Sequence, residues 1–81
     1  MTYIEEAAGA ADSAKKALPG LAMKLTIESY GVCILAHYKM REVERRVSWN
    51  DINHAIINVL AMQVKDVGRM LAAVGGSTPN D

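Results

Sequence analysis

Phenylalanine is absent from this 81-residue chain, and cysteine and tryptophan each occur once. A single thiol, Cys33, closes no internal disulfide, so nothing staples the fold covalently and a reducing, cytoplasmic location is expected. With so few aromatic side chains the core must come from Ala, Val, Ile, Leu and Met, which favours close helix packing and an adaptable Met-containing surface. Net charge is missing too: nine basic and nine acidic side chains cancel, so the overall field draws the chain toward neither phosphate backbones nor anionic lipid. No apolar run reaches the roughly 18–20 residues of a membrane span, because Lys24, Glu28, His37 and Lys39 interrupt the best candidate. The acidic, Ala-rich start lacks the basic-then-apolar order of a secretory leader, so none is expected.

Metal-ligand spacings are lacking as well. There is no His-x-x-x-His, no Cys-x-x-Cys and no Glu-x-x-His, so no metal and no cofactor is expected. Gly75-Gly76 follows an apolar helical pattern instead of preceding one, and reads as a helix stop, not as a phosphate loop.

What is present is patterning. Thr2-Tyr3-Ile4-Glu5 has the form of a capping box, and Ile4, Ala7, Ala11, Ala14 and Leu18 follow at steps of three and four, so a helix is expected from Thr2 to Leu18, stopped by Pro19-Gly20. Alanine methyls bury little area, so this helix must lie close against something larger.

From Met23 the period becomes two. Met23, Leu25 and Ile27 alternate with Lys24, Thr26 and Glu28; parity then shifts to Val32, Ile34, Ala36 and Tyr38, as a hairpin requires. A loop at Tyr30-Gly31 would set Ile27 against Ile34, Leu25 against Ala36 and Met23 against Tyr38. Val43, Val47 and Trp49 continue the alternation after a loop of Lys39 to Glu42, with Val47 against Ile34 and one misfit, Arg45, pointing inward opposite Ala36. Strands are expected near 22–28, 32–38 and 42–49. An all-helical bundle is the alternative, since Val32, Ala36, Val43 and Val47 also fit helical spacing; Gly31, costing about 1 kcal/mol relative to Ala inside a helix, opposes it.

Ser48, three residues before Asp51, opens a second helix. Ile52, Ala55, Ile56, Val59, Leu60, Gln63, Val67, Leu71 and Val74 give it a long apolar face, so one helix from Asn50 to Val74 is expected. The fold class is therefore α+β, a small α-β-β-β-α two-layer domain over residues 1–76 with a three-stranded antiparallel meander and a flexible tail at 77–81.

No catalytic group emerges from this arrangement. Cys33 and His37 would be neighbours on a helix, but on a strand they lie about 13 Å apart at roughly 3.3 Å per residue, beyond a hydrogen bond. His54 has no second ligand at a useful spacing. The second helix carries Ile57, Met62, Val64 and Met70 beside its main stripe, more apolar surface than one sheet buries, so these four are the candidates for a homodimer contact. Tyr30, Arg41, Arg45 and Arg46 at the hairpin ends are the candidates for an outside partner. The function expected is that of a small non-enzymatic protein-binding module, an adaptor, regulator or inhibitor of a larger machine such as phages and mobile elements use. Nucleic-acid binding through Lys39, Arg41, Arg45 and Arg46 is the alternative. The element order is also that of double-stranded-RNA-binding domains, but where that class opens its second helix with a Lys-Lys-x-Ala-Lys type run, Trp49-Asn50-Asp51-Ile52-Asn53-His54 stand here.

Overall fold

The structure, a computed structural model, describes residues 3–76, with side chains for 3–73. Helix α1 (Tyr3–Ala17) leads into β1 (Ala22–Ile27), β2 (Gly31–Tyr38) and β3 (Arg41–Ser48), then α2 (Trp49–His54) and α3 (Val59–Gly76). The three strands form an antiparallel meander in the order β1-β2-β3. The chain is therefore α+β, and the all-helical alternative falls. The expected helix start at Thr2 and the tail at 77–81 lie outside the described residues.

Alternation in β2 decides which face the helices cover. Val32, Ile34, Ala36 and Tyr38 are all buried on one face, flanked by Met23 of β1 and Val47 of β3. From above, α3 supplies the bulk with Leu60, Val64, Val67 and Leu71, while α1 supplies the buried Ala7 and Ala11. The small residues of α1 bring the two helices close: a methyl added at Gly68 would stand 3.3 Å from the Ala14 methyl. The two helices run in the same direction, since Asn58, just before α3, bonds the start of α1 at Tyr3 and Glu6 and Gly68 meets Ala14 further along.

The first loop sits one residue earlier than expected, and the second is two residues where four were expected. Glu28 and Gly31 exchange backbone bonds of 2.8 and 3.3 Å around a Ser29-Tyr30 loop, so Ile27 opposes Val32, Leu25 opposes Ile34 and Met23 opposes Ala36. In the second hairpin Tyr38 opposes Arg41 across Lys39-Met40, which sets Val47 against Val32 and Arg45 against Ile34. Each register is shifted by two residues from the expected one, so every side chain keeps its expected face while its partner changes. Gly31 is not a loop residue. A side chain there would overlap the carbonyl of Val47 and come within 2.8 Å of Ser48 Cα. Close approach of β3, together with a backbone φ of 157° that side chains rarely adopt, is what requires glycine at this position.

The expected helix from Asn50 to Val74 is two helices. Ser48 caps α2 by accepting from the Asp51 amide at 3.1 Å, as its spacing indicated, but the chain leaves the helix at Ala55, whose ψ is 145°. The β-branched pair Ile56-Ile57 follows, and Asn58 starts the next helix: its Oδ1 accepts from the Ala61 amide at 3.0 Å. An Asn at this position satisfies an otherwise orphaned amide, which a helix running straight through would not need. The backbone of α3 runs to Gly76, past the stop expected at Val74.

Candidate docking surface

Chain direction sorts the molecule into two ends. The β1–β2 loop is tied to α2 by Trp49, whose amide donates to the Tyr30 carbonyl at 2.9 Å and whose indole Nε1 donates to the Glu28 carbonyl at 3.2 Å. Asn58 ties the α2–α3 link to α1, its Nδ2 donating to the Tyr3 carbonyl at 3.0 Å and to Glu6 Oε1 at 2.7 Å. One end therefore gathers the start of α1, the first hairpin, α2 and the start of α3. The other holds the end of α1, where Lys15 lies beside Ala22, His37 and Glu42 in an open cleft, and the second hairpin.

Exposed apolar bulk follows that division. Tyr3, Tyr30, Ile56, Ile57 and Met62 are all open to solvent at the first end, and Ile27 joins them from the close of β1. Ile56 is 99 % exposed, the highest among the large apolar side chains of the described residues. Leu35, on the uncovered sheet face, and Met40, in the second loop, are the other large apolar side chains exposed among the described residues. Single exposed apolar residues are ordinary; a group brought to one end from separate stretches of chain makes that end the candidate docking surface.

The candidates for self-association are split. Ile57 and Met62 stand in the exposed group. Val64 is fully buried (0 % exposed) in the core, which corrects its expected place on an outer stripe: four residues after Leu60 and three before Val67, it shares their buried face. Met70 is half-buried, with its sulfur 3.8 Å from the Arg45 guanidinium.

The partner candidates are split as well. Tyr30 lies in the apolar end, with the Arg46 guanidinium 5.8 Å from its ring centre. Arg46 Nε donates to Glu44 Oε2 at 3.1 Å, and this bond holds its pKa above the ordinary value. Arg45 points inward, as expected, and its Nη1 donates to Asp66 Oδ2 and to Gln63 Oε1, each at 2.7 Å, bridging β3 to α3. Arg41 begins β3 at the opposite end.

Chemistry on the uncovered sheet face is limited. Cys33 and His37 share that face four residues apart; the thiol is buried and donates to Glu44 Oε2 at 3.5 Å. Partial desolvation of Tyr30, followed by the adjacent Cys33 thiol, raises its phenol above the ordinary 10.0, against the lowering pull of Arg46. Among the described residues no three His, Cys, Asp or Glu side chains stand together as a metal site, and no helix is long and apolar enough to cross a membrane.

Charge that cancels in the sequence separates in space. Glu5, Glu6, Glu28 and Asp51 fall at the apolar end beside one cation, Arg46, whereas Lys15, Lys16, Lys24, Lys39 and Arg41 fall toward the other, where Asp12 and Glu42 partly offset them. No composition-based reading finds this, because it depends on which way each element runs. Set against protein-family models, curated proteins and solved structures, the chain matches none.

Proposed function

We propose that this chain is a non-enzymatic protein-binding module that docks on a larger protein through its apolar end, as an adaptor, regulator or inhibitor does. The observation that supports it is the convergence of Tyr3, Tyr30, Ile56, Ile57 and Met62 at one end. Burying a side chain such as Ile56 contributes about 1.5–3 kcal/mol, and a cluster of this kind is where binding energy concentrates. The rim of Glu5, Glu6, Glu28 and Asp51, acidic on balance against the one cation Arg46, favours as partner an apolar segment flanked by Lys or Arg.

A synthetic amphipathic helix with a leucine face and lysine flanks tests this reading. Titrated into the labelled protein, it should shift the amide resonances of Tyr30, Ile56, Ile57 and Met62, and a folded Ile56→Asp, Ile57→Asp double variant should lose the response. Shifts confined to the uncovered sheet face, or none, would overturn it.

A second reading has its own observation. Lys15, Lys16, Lys24, Lys39 and Arg41 gather toward the opposite end, where, with Asp12 and Glu42 among them, a nucleic-acid backbone could rest. Arg45 and Arg46 contribute less than the sequence indicated, being engaged by Asp66 and Glu44. Duplex binding that falls steeply with salt and drops on Lys39→Ala, Arg41→Ala supports this reading; no binding at low salt ends it.

A further inference from the structure

We infer that two copies of this chain pair antiparallel along β1, joining their sheets into one of six strands. This contact borders the apolar end at Ile27 and Glu28 but centres on Leu25, and the Ile56 and Ile57 variants that test the docking lie outside it.

The open edge of β1 is defined by its ladder. Because Glu28 and Gly31 exchange both backbone bonds, Thr26, Lys24 and Ala22 bond to β2, and the intervening Ile27, Leu25 and Met23 turn their N–H and C=O groups away from it. Among the described residues nothing bonds these outward groups. A sheet edge of this kind is a template for another strand unless it is shielded, usually by charge. The two edges differ in this respect. Strand β3 carries Arg41, Glu42, Glu44, Arg45 and Arg46 among its eight residues, whereas β1 carries Lys24 alone among its six.

The occupant follows from register and charge. A two-fold axis at Leu25 places Leu25 opposite Leu25 of the second copy, and Met23 opposite its Ile27, and the reverse. All three are outward-bonding residues, so each pair exchanges two bonds and every open group along this stretch finds a partner. Ile27, 63 % exposed in one chain, gains the methionine of the other as a neighbour. On the opposite face Lys24 falls directly across from Thr26 of the second copy, and of its two diagonal neighbours there, Glu28 and Lys24, the carboxylate offers it an opposite charge within reach of a long side chain. The antiparallel arrangement also lays each acidic end, with Glu5, Glu6 and Glu28, alongside the basic end of its mate, with Lys15, Lys16 and Lys24.

Light scattering and hydrogen exchange test the pairing. At high concentration the wild-type mass should be twice the 8.8 kDa of one chain, returning to one on dilution. The amides of Met23, Leu25 and Ile27 should be protected at high concentration and exchange freely when diluted. Thr26→Lys, which sets a cation against Lys24 of the second copy, should weaken the dimer at least tenfold, and adding Lys24→Glu should restore it. Ile56→Asp, Ile57→Asp should leave it unchanged. A wild-type monomer throughout, or a dimer whose Met23, Leu25 and Ile27 amides exchange as freely as in the monomer, would overturn the pairing; the exchange measurement decides even if a variant fails to fold.

Discussion

Arg45 of β3 and Asp66 of α3 meet at 2.7 Å across the layer between sheet and helix, and the same guanidinium nitrogen also reaches Gln63. An arginine on the buried face of a strand is tolerated because its stem lies over the sheet while its charged end is met by polar groups at the border. Both partners are partly exposed, so the ion pair itself contributes about 0.2–1 kcal/mol. Asp66→Asn should therefore lower the unfolding free energy by no more than about 1 kcal/mol. Arg45→Ala, which also removes the stem, should cost more. Urea unfolding measures both, and equal losses would contradict the packing role of the stem.

Asn58 performs two tasks, capping α3 through Oδ1 and joining it to α1 through Nδ2. Asn58→Ala should cost about 1–2 kcal/mol, the upper part of the range for a lost cap. Asn58→Asp keeps the acceptor but sets a carboxylate against Glu6. It should be destabilised at neutral pH and recover on mild acidification, as a pH series of thermal melts would show.

At Gly31 the added methyl of Gly31→Ala would enter the Val47 carbonyl. Backbone cannot move aside as a flexible side chain can, so the loss should reach or pass the roughly 3 kcal/mol that bounds most single changes. A near-neutral result by denaturant titration would contradict the close approach of β3.

Tyr30 gives a pH prediction. Its folded pKa is raised, so the native state holds the phenolic proton more tightly than the unfolded chain does. The contribution to stability is full below the ordinary value of 10.0 and is lost as pH climbs through the raised one. Arg46 pulls the other way, so Arg46→Ala should move the Tyr30 titration higher still, read from its ring resonances. No movement would contradict the contact between the two side chains.

Faces were legible in the sequence and distances were not. The alternation of Val32, Ile34, Ala36 and Tyr38 marks the covered face whatever the loop length, so a register error of two residues left it intact. The first loop was misplaced by one residue because Gly31 suggested a turn residue, whereas it sits just after the turn against β3, and the second was read too long because Lys39 takes a left-handed conformation, φ 56°, that its residue type does not advertise. The break between α2 and α3 did have a signal: Asn58 before a fresh apolar run, after two β-branched residues. The apolar end was legible in part: Tyr30, Ile57 and Met62 were candidates from the sequence, but that they lie at one end with Tyr3 and Ile56 depends on strand and helix directions.

Position-specific crosslinking tests the docking surface most directly. With a photoreactive residue at Ile56 or Ile57, irradiation in the native host extract should give adducts to one discrete second protein, while the same group at Glu44, on the uncovered sheet face, gives none. Adducts from Glu44 with none from Ile56 or Ile57 would contradict the assignment of the apolar end.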